Sequence, residues 1–196
     1  MKKRPAIIIR KTTETKISLR LNLDGDGSYR ISTGIGFFNH MLELFSKHSL
    51  VDLSIIAKGD LHIDEHHTIE DVGICLGQAL KKALGDKKGI QRYAFLLPMD
   101  ETLAEVAIDL GGRAYLVWNV AFKREKIGDM PTELFEDFFQ AVADNLGANI
   151  HVKLRYGRNE HHMAEAIFKA FARTIRSAVS IDPRTKGKLP STKGKL

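Results

Sequence analysis

The sequence predicts an α/β chain of the α+β kind, built from two copies of one β-β-β-α-β-α unit. Three observations predict it. Alternating extended stretches and longer helical stretches follow one another in the same order in both halves. The motif HHxxE opens the last helix of each half, as His66, His67 and Glu70 and again as His161, His162 and Glu165. Between the halves lies a turn-rich segment, "LGDKKGIQR".

The first half begins with three extended stretches, "AIIIRK", "KISLRLNL" and "SYRIST". The second of these alternates cleanly, and "LDGDGS" after it is a turn. "GFFNHMLELFSKH" is helical, "VDLSIIAKG" is a strand, and a long helix runs from about Asp64 to Gly85. The second half repeats this with "YAFLLPM", "LAEVAIDL" and "AYLVWNVAF", then the helix "TELFEDFFQAVADNLG". The strand "NIHVKLRYG" and the helix "EHHMAEAIFKAFARTIRSAV" complete it. The halves span residues 1–88 and 89–185 around one shared core, and residues 186–196 form a basic tail that composition alone reads as disordered.

Composition narrows the function. With 196 residues and 43% hydrophobic content the chain can bury a core. No apolar run approaches the length of a membrane span, and "AIII" near the start is too short for a signal peptide. The single cysteine, Cys75, excludes an internal disulfide, sits in an apolar helical stretch and fits a reducing cytoplasm. The net charge of +6 and pI near 9.4 favour an anionic partner. Aromatic residues do not interleave with the basic ones, as a groove for single-stranded nucleic acid would favour.

The duplicated motif carries the chemistry. In a chain with this many histidines and glutamates HHxxE is expected about 0.02 times, and it occurs twice. Helix positions four apart share a face, whereas neighbours diverge by about 100°. His66 and Glu70 can therefore hold one ion, and His67 faces another; the same holds for His161, Glu165 and His162. The shorter helix of each half adds His40 or Asp137, each beside a phenylalanine pair. Imidazole with carboxylate suits Mn, Fe, Zn or Co. Asp64, Glu65 and Asp71 lie close to the first pair and suit either the positive end of a helix or the orientation of imidazoles. His62 and His151 stay undecided between orienting and solvated roles. Arg92, Arg113, Lys169, Ser191 and Lys193 are candidates for holding a phosphate.

"STGIGFFNHML", "GDLHIDEHHTIEDVGICLGQAL", "NEHHMAEAIFKAFARTIRSAV" and "LPSTKG" together resemble imidazoleglycerol-phosphate dehydratase of histidine biosynthesis, in its monofunctional form. The resemblance runs from about Arg10 to the C-terminus. It implies a duplicated fold of the ribosomal protein S5 domain 2-like kind. It also implies two Mn2+ per active site, with ligands at His40, His66, His67, Glu70, His161, His162 and Glu165. Contacts to a phosphorylated imidazole substrate fall on Glu14, His40, His48, Arg92, Arg113, Lys169, Ser191 and Lys193. Catalytic roles fall on Glu14, His66, Glu70 and His162, with Glu14 moving the proton. The implied assembly is an octahedral homo-oligomer of 24 chains that share sites, with no nucleic-acid or membrane partner. The implied reaction expels hydroxide from a metal-bound imidazolate form of the substrate.

Two departures stand out. The family usually has Asp where this chain has Asn39, and His where this chain has Asp137. Asp can ligate Mn as an oxygen donor, so Asp137 stays in the expected ligand set. Two alternatives come from other classes: a two-metal hydrolase using a bridging hydroxide, and an RNA-binding module suggested by the basic charge.

Overall fold

The computed structural model describes residues 3–185, 187–194 and 196. The first half contains β1 (Pro5–Lys11), β2 (Thr15–Asn22), β3 (Tyr29–Ser32), α1 (Gly36–Ser49), β4 (Asp52–Gly59) and α2 (His66–Leu84). The second contains β5 (Tyr93–Met99), β6 (Thr102–Asp109), β7 (Tyr115–Asn119), β8 (Lys126–Ile127), β9 (Met130–Pro131), α3 (Leu134–Leu146), β10 (Asn149–Tyr156) and α4 (Glu160–Val179). The expected order is present, with the small β8–β9 hairpin as an addition.

Both four-stranded sheets share one topology, β1-β2-β4-β3 and β5-β6-β10-β7. In each, two antiparallel pairings are followed by one parallel pairing, β3 with β4 and β7 with β10. A parallel pair needs a crossover, and α1 and α3 supply it. The alternation read in "KISLRLNL" is the alternation of β2 between core and outer face, and β6 repeats it.

The helices join the halves. α2 covers β1 and β2, while α4 covers β5 and β6. α2 also packs on α3, and α1 on α4, so both of these helix–helix seams cross from one half to the other. Phe38 of α1 and Phe138 of α3 meet edge to face at 5.4 Å, and Phe45 stacks on Phe171 at 5.4 Å. Burying such a ring is worth about 1.5–3 kcal/mol. The α2–α3 seam is closer still. A Cβ on Gly73 would stand 2.9 Å from the Phe138 carbonyl oxygen, and one on Gly77 2.8 Å from that of Val142. Only glycine allows this approach.

The β8–β9 hairpin has a task. α1 has no side-chain cap of its own. Asp129, in the hairpin turn, accepts the backbone N–H groups of Gly36 and Phe37 at 2.5 and 2.9 Å. It thereby satisfies donors that a helix start leaves orphaned.

Candidate metal centre

Each HHxxE motif starts its helix by the same local device. The Asp64 carboxylate accepts the His66 backbone N–H at 2.9 Å, and the Asn159 side-chain oxygen accepts that of His161 at 3.0 Å. The paired rings then diverge. His66 and His67 stand at 89° with centroids 6.1 Å apart, and His161 and His162 at 82° and 6.3 Å. The two histidines of a pair thus address different places.

The second-half motif forms a closed cluster around Glu165. His40 Nε2 lies 2.8 Å and His161 Nε2 3.2 Å from Glu165 Oε1, and Lys169 Nζ donates to Oε2 at 2.6 Å. Ligand atoms of His40, His161 and Glu165 all lie within 4.8 Å of one another. Burial works to raise the Glu165 carboxyl, but hydrogen bonds from Lys169 and His40 outweigh it and hold its pKa at about 2. His48, in the last turn of α1, has its pKa lowered by burial and by the nearby cations Lys169 and Arg173.

The first-half motif is open. His66 Nε2 is 4.0 Å from Glu70, while Asp137 stands 3.8 Å from Nδ1, on the other side of the ring. The Glu70 side chain is 48% exposed, against 10% for Glu165. Glu70 and Asp137 flank the imidazole instead of converging on one nitrogen. The repeat aligns His40 with the first motif and Asp137 with the second, yet the structure crosses them. Because α1 packs on α4 and α2 on α3, His40 meets the second motif and Asp137 the first.

The second histidine of each pair faces a different carboxylate. His67 Nδ1 is 3.1 and 3.2 Å from the two oxygens of Asp60, and its Nε2 is 3.8 Å from Glu14. His162 Nδ1 is 3.0 Å from Glu101, with Asp100 at 3.8 Å. Hydrogen bonding to Asp60 and to Glu101 raises the pKa of His67 and of His162. The Glu101 carboxyl is held at about 2 by His162 and by the Asn159 backbone N–H.

The acids adjoining the first histidine pair do other work than orienting imidazoles. Asp64 accepts the backbone N–H of His66, the first residue of α2, and Glu65 pairs with Lys126 at 3.1 Å. Asp71 is 5% exposed, pairs with Arg10 at 2.7 Å and accepts the Thr15 hydroxyl. It ties the β1–β2 turn that carries Glu14 to the helix that carries His66 and His67. His62 and His151 are exposed, and neither is part of a convergent ligand group among the described residues. Asn39 is explained locally: its side-chain oxygen accepts the Thr33 N–H at 2.9 Å and the Thr33 hydroxyl at 2.7 Å. Cys75 is buried, and burial pushes its thiol up to about 11, as a packing residue requires.

Glu101 and Asp60 were absent from the expected site. A signal for Glu101 exists in the repeat. Glu101-Thr102 opens β6 as Glu14-Thr15 opens β2, and both threonines are buried.

The phosphate candidates separate. Arg92, Arg113, Ser191 and Lys193 line one cavity of about 810 Å³. Arg92 grips Asp109 with two nitrogens and donates to the Pro190 carbonyl at 3.1 Å. The tail, disordered by composition alone, is laid down here, with the Gly89 N–H donating to the Lys188 carbonyl at 3.0 Å. Lys169 stands instead beside Glu165, and Glu14 lies 49% exposed on the β1–β2 turn.

Imidazole nitrogens and carboxylate oxygens, without thiolate, suit a divalent cation of the Mn, Fe, Zn or Co group. The convergence of His40, His161 and Glu165 fits one such ion. Among the described residues the other convergent group is Asp100, Glu101 and His162.

A family model described as imidazoleglycerol-phosphate dehydratase matches residues 33–175. The chain is 56% identical to imidazoleglycerol-phosphate dehydratase of Agrobacterium fabrum over 197 residues, covering all of both chains. It is 58% identical to that of Azorhizobium caulinodans over 194 residues, covering 98% of each. Among solved structures, the enzyme of Staphylococcus aureus superposes with a TM-score of 0.82 at 42% identity, over 91% of this chain and 99% of that one. The enzyme of Pyrococcus furiosus, in complex with (S)-C348, gives 0.83 at 32% identity, over 96% and 100%.

Proposed function

The chain belongs to the imidazoleglycerol-phosphate dehydratase family, and we propose that it works with two Mn2+ held by its two HHxxE motifs. It converts D-erythro-imidazole glycerol phosphate to imidazole acetol phosphate and water in histidine biosynthesis. The observation that carries the metal proposal is the convergence of His40, His161 and Glu165, drawn from both halves. In our reading His66, His67, Glu70, Asp137 and His162 supply the remaining ligands.

The reaction breaks a C–O bond on the carbon next to the ring and a C–H bond on the carbon beyond it. The enol so formed becomes the ketone. Bound Mn2+ supplies Lewis acidity, which lowers the pKa of donors attached to it. The chain supplies the rest. Glu14 lies 3.8 Å from His67 Nε2, so a carboxylate stands next to a ligand position and can carry the proton. Arg92, Arg113, Ser191 and Lys193 offer cations and donors to a phosphate, which fixes the substrate's orientation. Lys169 keeps Glu165 ionised and in place.

The diverging rings of each pair support a site shared between chains. A chain presents four diverging histidines at two places, and one ion cannot take both members of a pair. We therefore read the enzyme as a homo-oligomer, of 24 chains in the family's octahedral form. Ile9 and Ile63, 76% and 64% exposed, leave apolar surface for assembly to cover. No helix among the described residues is long and apolar enough to cross a membrane, and we place the enzyme in the cytoplasm. The test is turnover after EDTA treatment. Activity should vanish and return with Mn2+, whereas full activity in protein shown metal-free by elemental analysis would refute the two-metal reading.

A further inference from the structure

We infer that Asp60 and Glu101 are positioning residues: each holds Nδ1 of the second histidine in its motif, leaving Nε2 of His67 and of His162 bare as the metal-binding atom. The inference rests on the metal reading above and names the residues that make two of its ligands competent.

A neutral imidazole carries one proton on one of its two nitrogens, and only the other can bind a metal. A carboxylate beside Nδ1 keeps the proton there. Asp60 approaches His67 Nδ1 with both oxygens, at 3.1 and 3.2 Å, and its side chain is only 17% exposed. Glu101 approaches His162 Nδ1 at 3.0 Å. Its other oxygen accepts the Asn159 N–H at 2.8 Å, so the carboxylate is anchored to the residue that caps α4. With both oxygens engaged, Glu101 is placed to orient a ligand. The first histidines of the pairs have no such carboxylate within hydrogen-bond distance of Nδ1 among the described residues, and their Nε2 atoms turn to Glu70 and Glu165.

The two halves reach the same arrangement by different routes. Gly59 and Gly157 occupy matching places: an added Cβ would strike Thr68 and touch Thr15 in one case, and would strike Met163 and Thr102 in the other. Asp60 follows the first glycine, but Arg158 follows the second. Where the loop offers no acid, the β5–β6 turn supplies Glu101 instead. That the contact recurs from an unrelated position argues that it is required.

Two measurements test this. Magic-angle-spinning 15N spectra of histidine-labelled, metal-free protein at alkaline pH read the tautomers directly, with His67→Gln and His162→Gln assigning the signals. His67 and His162 should each show a protonated Nδ1 and a bare Nε2, and added Zn2+ should shift Nε2. A proton on Nε2, or a Zn2+ shift at Nδ1, would overturn the inference. The second measurement is Mn2+ affinity. Asp60→Ala and Glu101→Ala should each weaken one class of ion by about 10- to 100-fold, the usual loss when an orienting partner is removed. Asp60→Asn and Glu101→Gln retain an acceptor and should fall between alanine and wild type. Normal Mn2+ affinity in both alanine variants would overturn the inference while sparing the metal reading. Wild-type protein that binds no Mn2+ would overturn the metal reading, while the metal-free spectra still decide the tautomers.

Discussion

The two halves of the molecule share a backbone plan and differ in how finished their ligand clusters are. In the second half Glu165 is 10% exposed, bridges His40 and His161, and is braced by Lys169. In the first half Glu70 is 48% exposed, and Asp137 stands on the far nitrogen of His66. The carboxylates on matching turns differ too. Glu101 is spent on His162 Nδ1, whereas Glu14 faces His67 Nε2. Duplication thus repeats the placement of the histidines, while the two turns present their carboxylates to different ring nitrogens.

The largest expected effect comes from making the same change in both turns. Glu14→Gln should lower kcat by about 10²- to 10⁴-fold, the range for a lost acid–base group, with Mn2+ content unchanged. Glu101→Gln should cost less than about tenfold at saturating Mn2+, because its amide still accepts a hydrogen bond. Equal losses in steady-state kinetics would erase the proposed division of labour.

A smaller contrast concerns the shorter helices. In the two-Mn2+ reading His40→Ala removes a direct ligand of the closed cluster and should weaken the ion there by more than the ~10- to 100-fold lost with an orienting partner. Asp137→Ala should weaken the ion at the first-half motif more than the other, and Asp137→His should preserve its binding. Calorimetric titration with Mn2+ decides this, and identical effects of the two alanine variants would contradict an open first half and a closed second half.

Packing between the halves gives the next effect. Gly73 meets the Phe138 carbonyl, whereas the matching place of α4 holds Phe168. Gly73→Ala should destabilise the fold, since overpacking costs about 1–3 kcal/mol and better helix propensity returns at most about 1. A higher urea midpoint for the variant would show that the seam is loose.

The smallest effect is electrostatic. Arg4 donates twice to Asp24, at 2.7 and 2.9 Å, and once to the Val179 carbonyl that ends α4. Hydrogen bonding to Arg4 holds the Asp24 carboxyl below its usual range. A depressed carboxyl pKa stabilises the fold above the unfolded value and loses that contribution as pH falls through the folded one. Arg4→Ala should therefore cost about 1 kcal/mol or less near neutrality. The gap from wild type should close below pH ~4, where Asp protonates in the unfolded chain. Thermal melts across that range would show a constant gap if the pair is inert.

Much of this architecture was legible because it is local. Alternation in "KISLRLNL" is a property of eight neighbours, and the HHxxE pairs announce themselves within five residues. The crossing of His40 to Glu165 was not legible, because 125 residues separate them and only the packing of α1 on α4 joins them. Asp71 read as an acid near histidines, and its buried pairing with Arg10 depends on the register of another strand. The tail read as basic disorder because its anchors are backbone carbonyls, which composition does not record. Glu101 was not legible because its contact with His162 spans 61 residues and depends on how the β5–β6 turn meets the start of α4.

The crossed helix seams leave each half incomplete by itself. A free first half would own His66 and Glu70 without Asp137, and His40 without His161 and Glu165. Neither cluster could be completed alone. Two copies of one half, paired reciprocally as α1 on α4 and α2 on α3 are, would complete both. Because each cluster draws on both halves, neither half of this chain can be removed without losing both clusters.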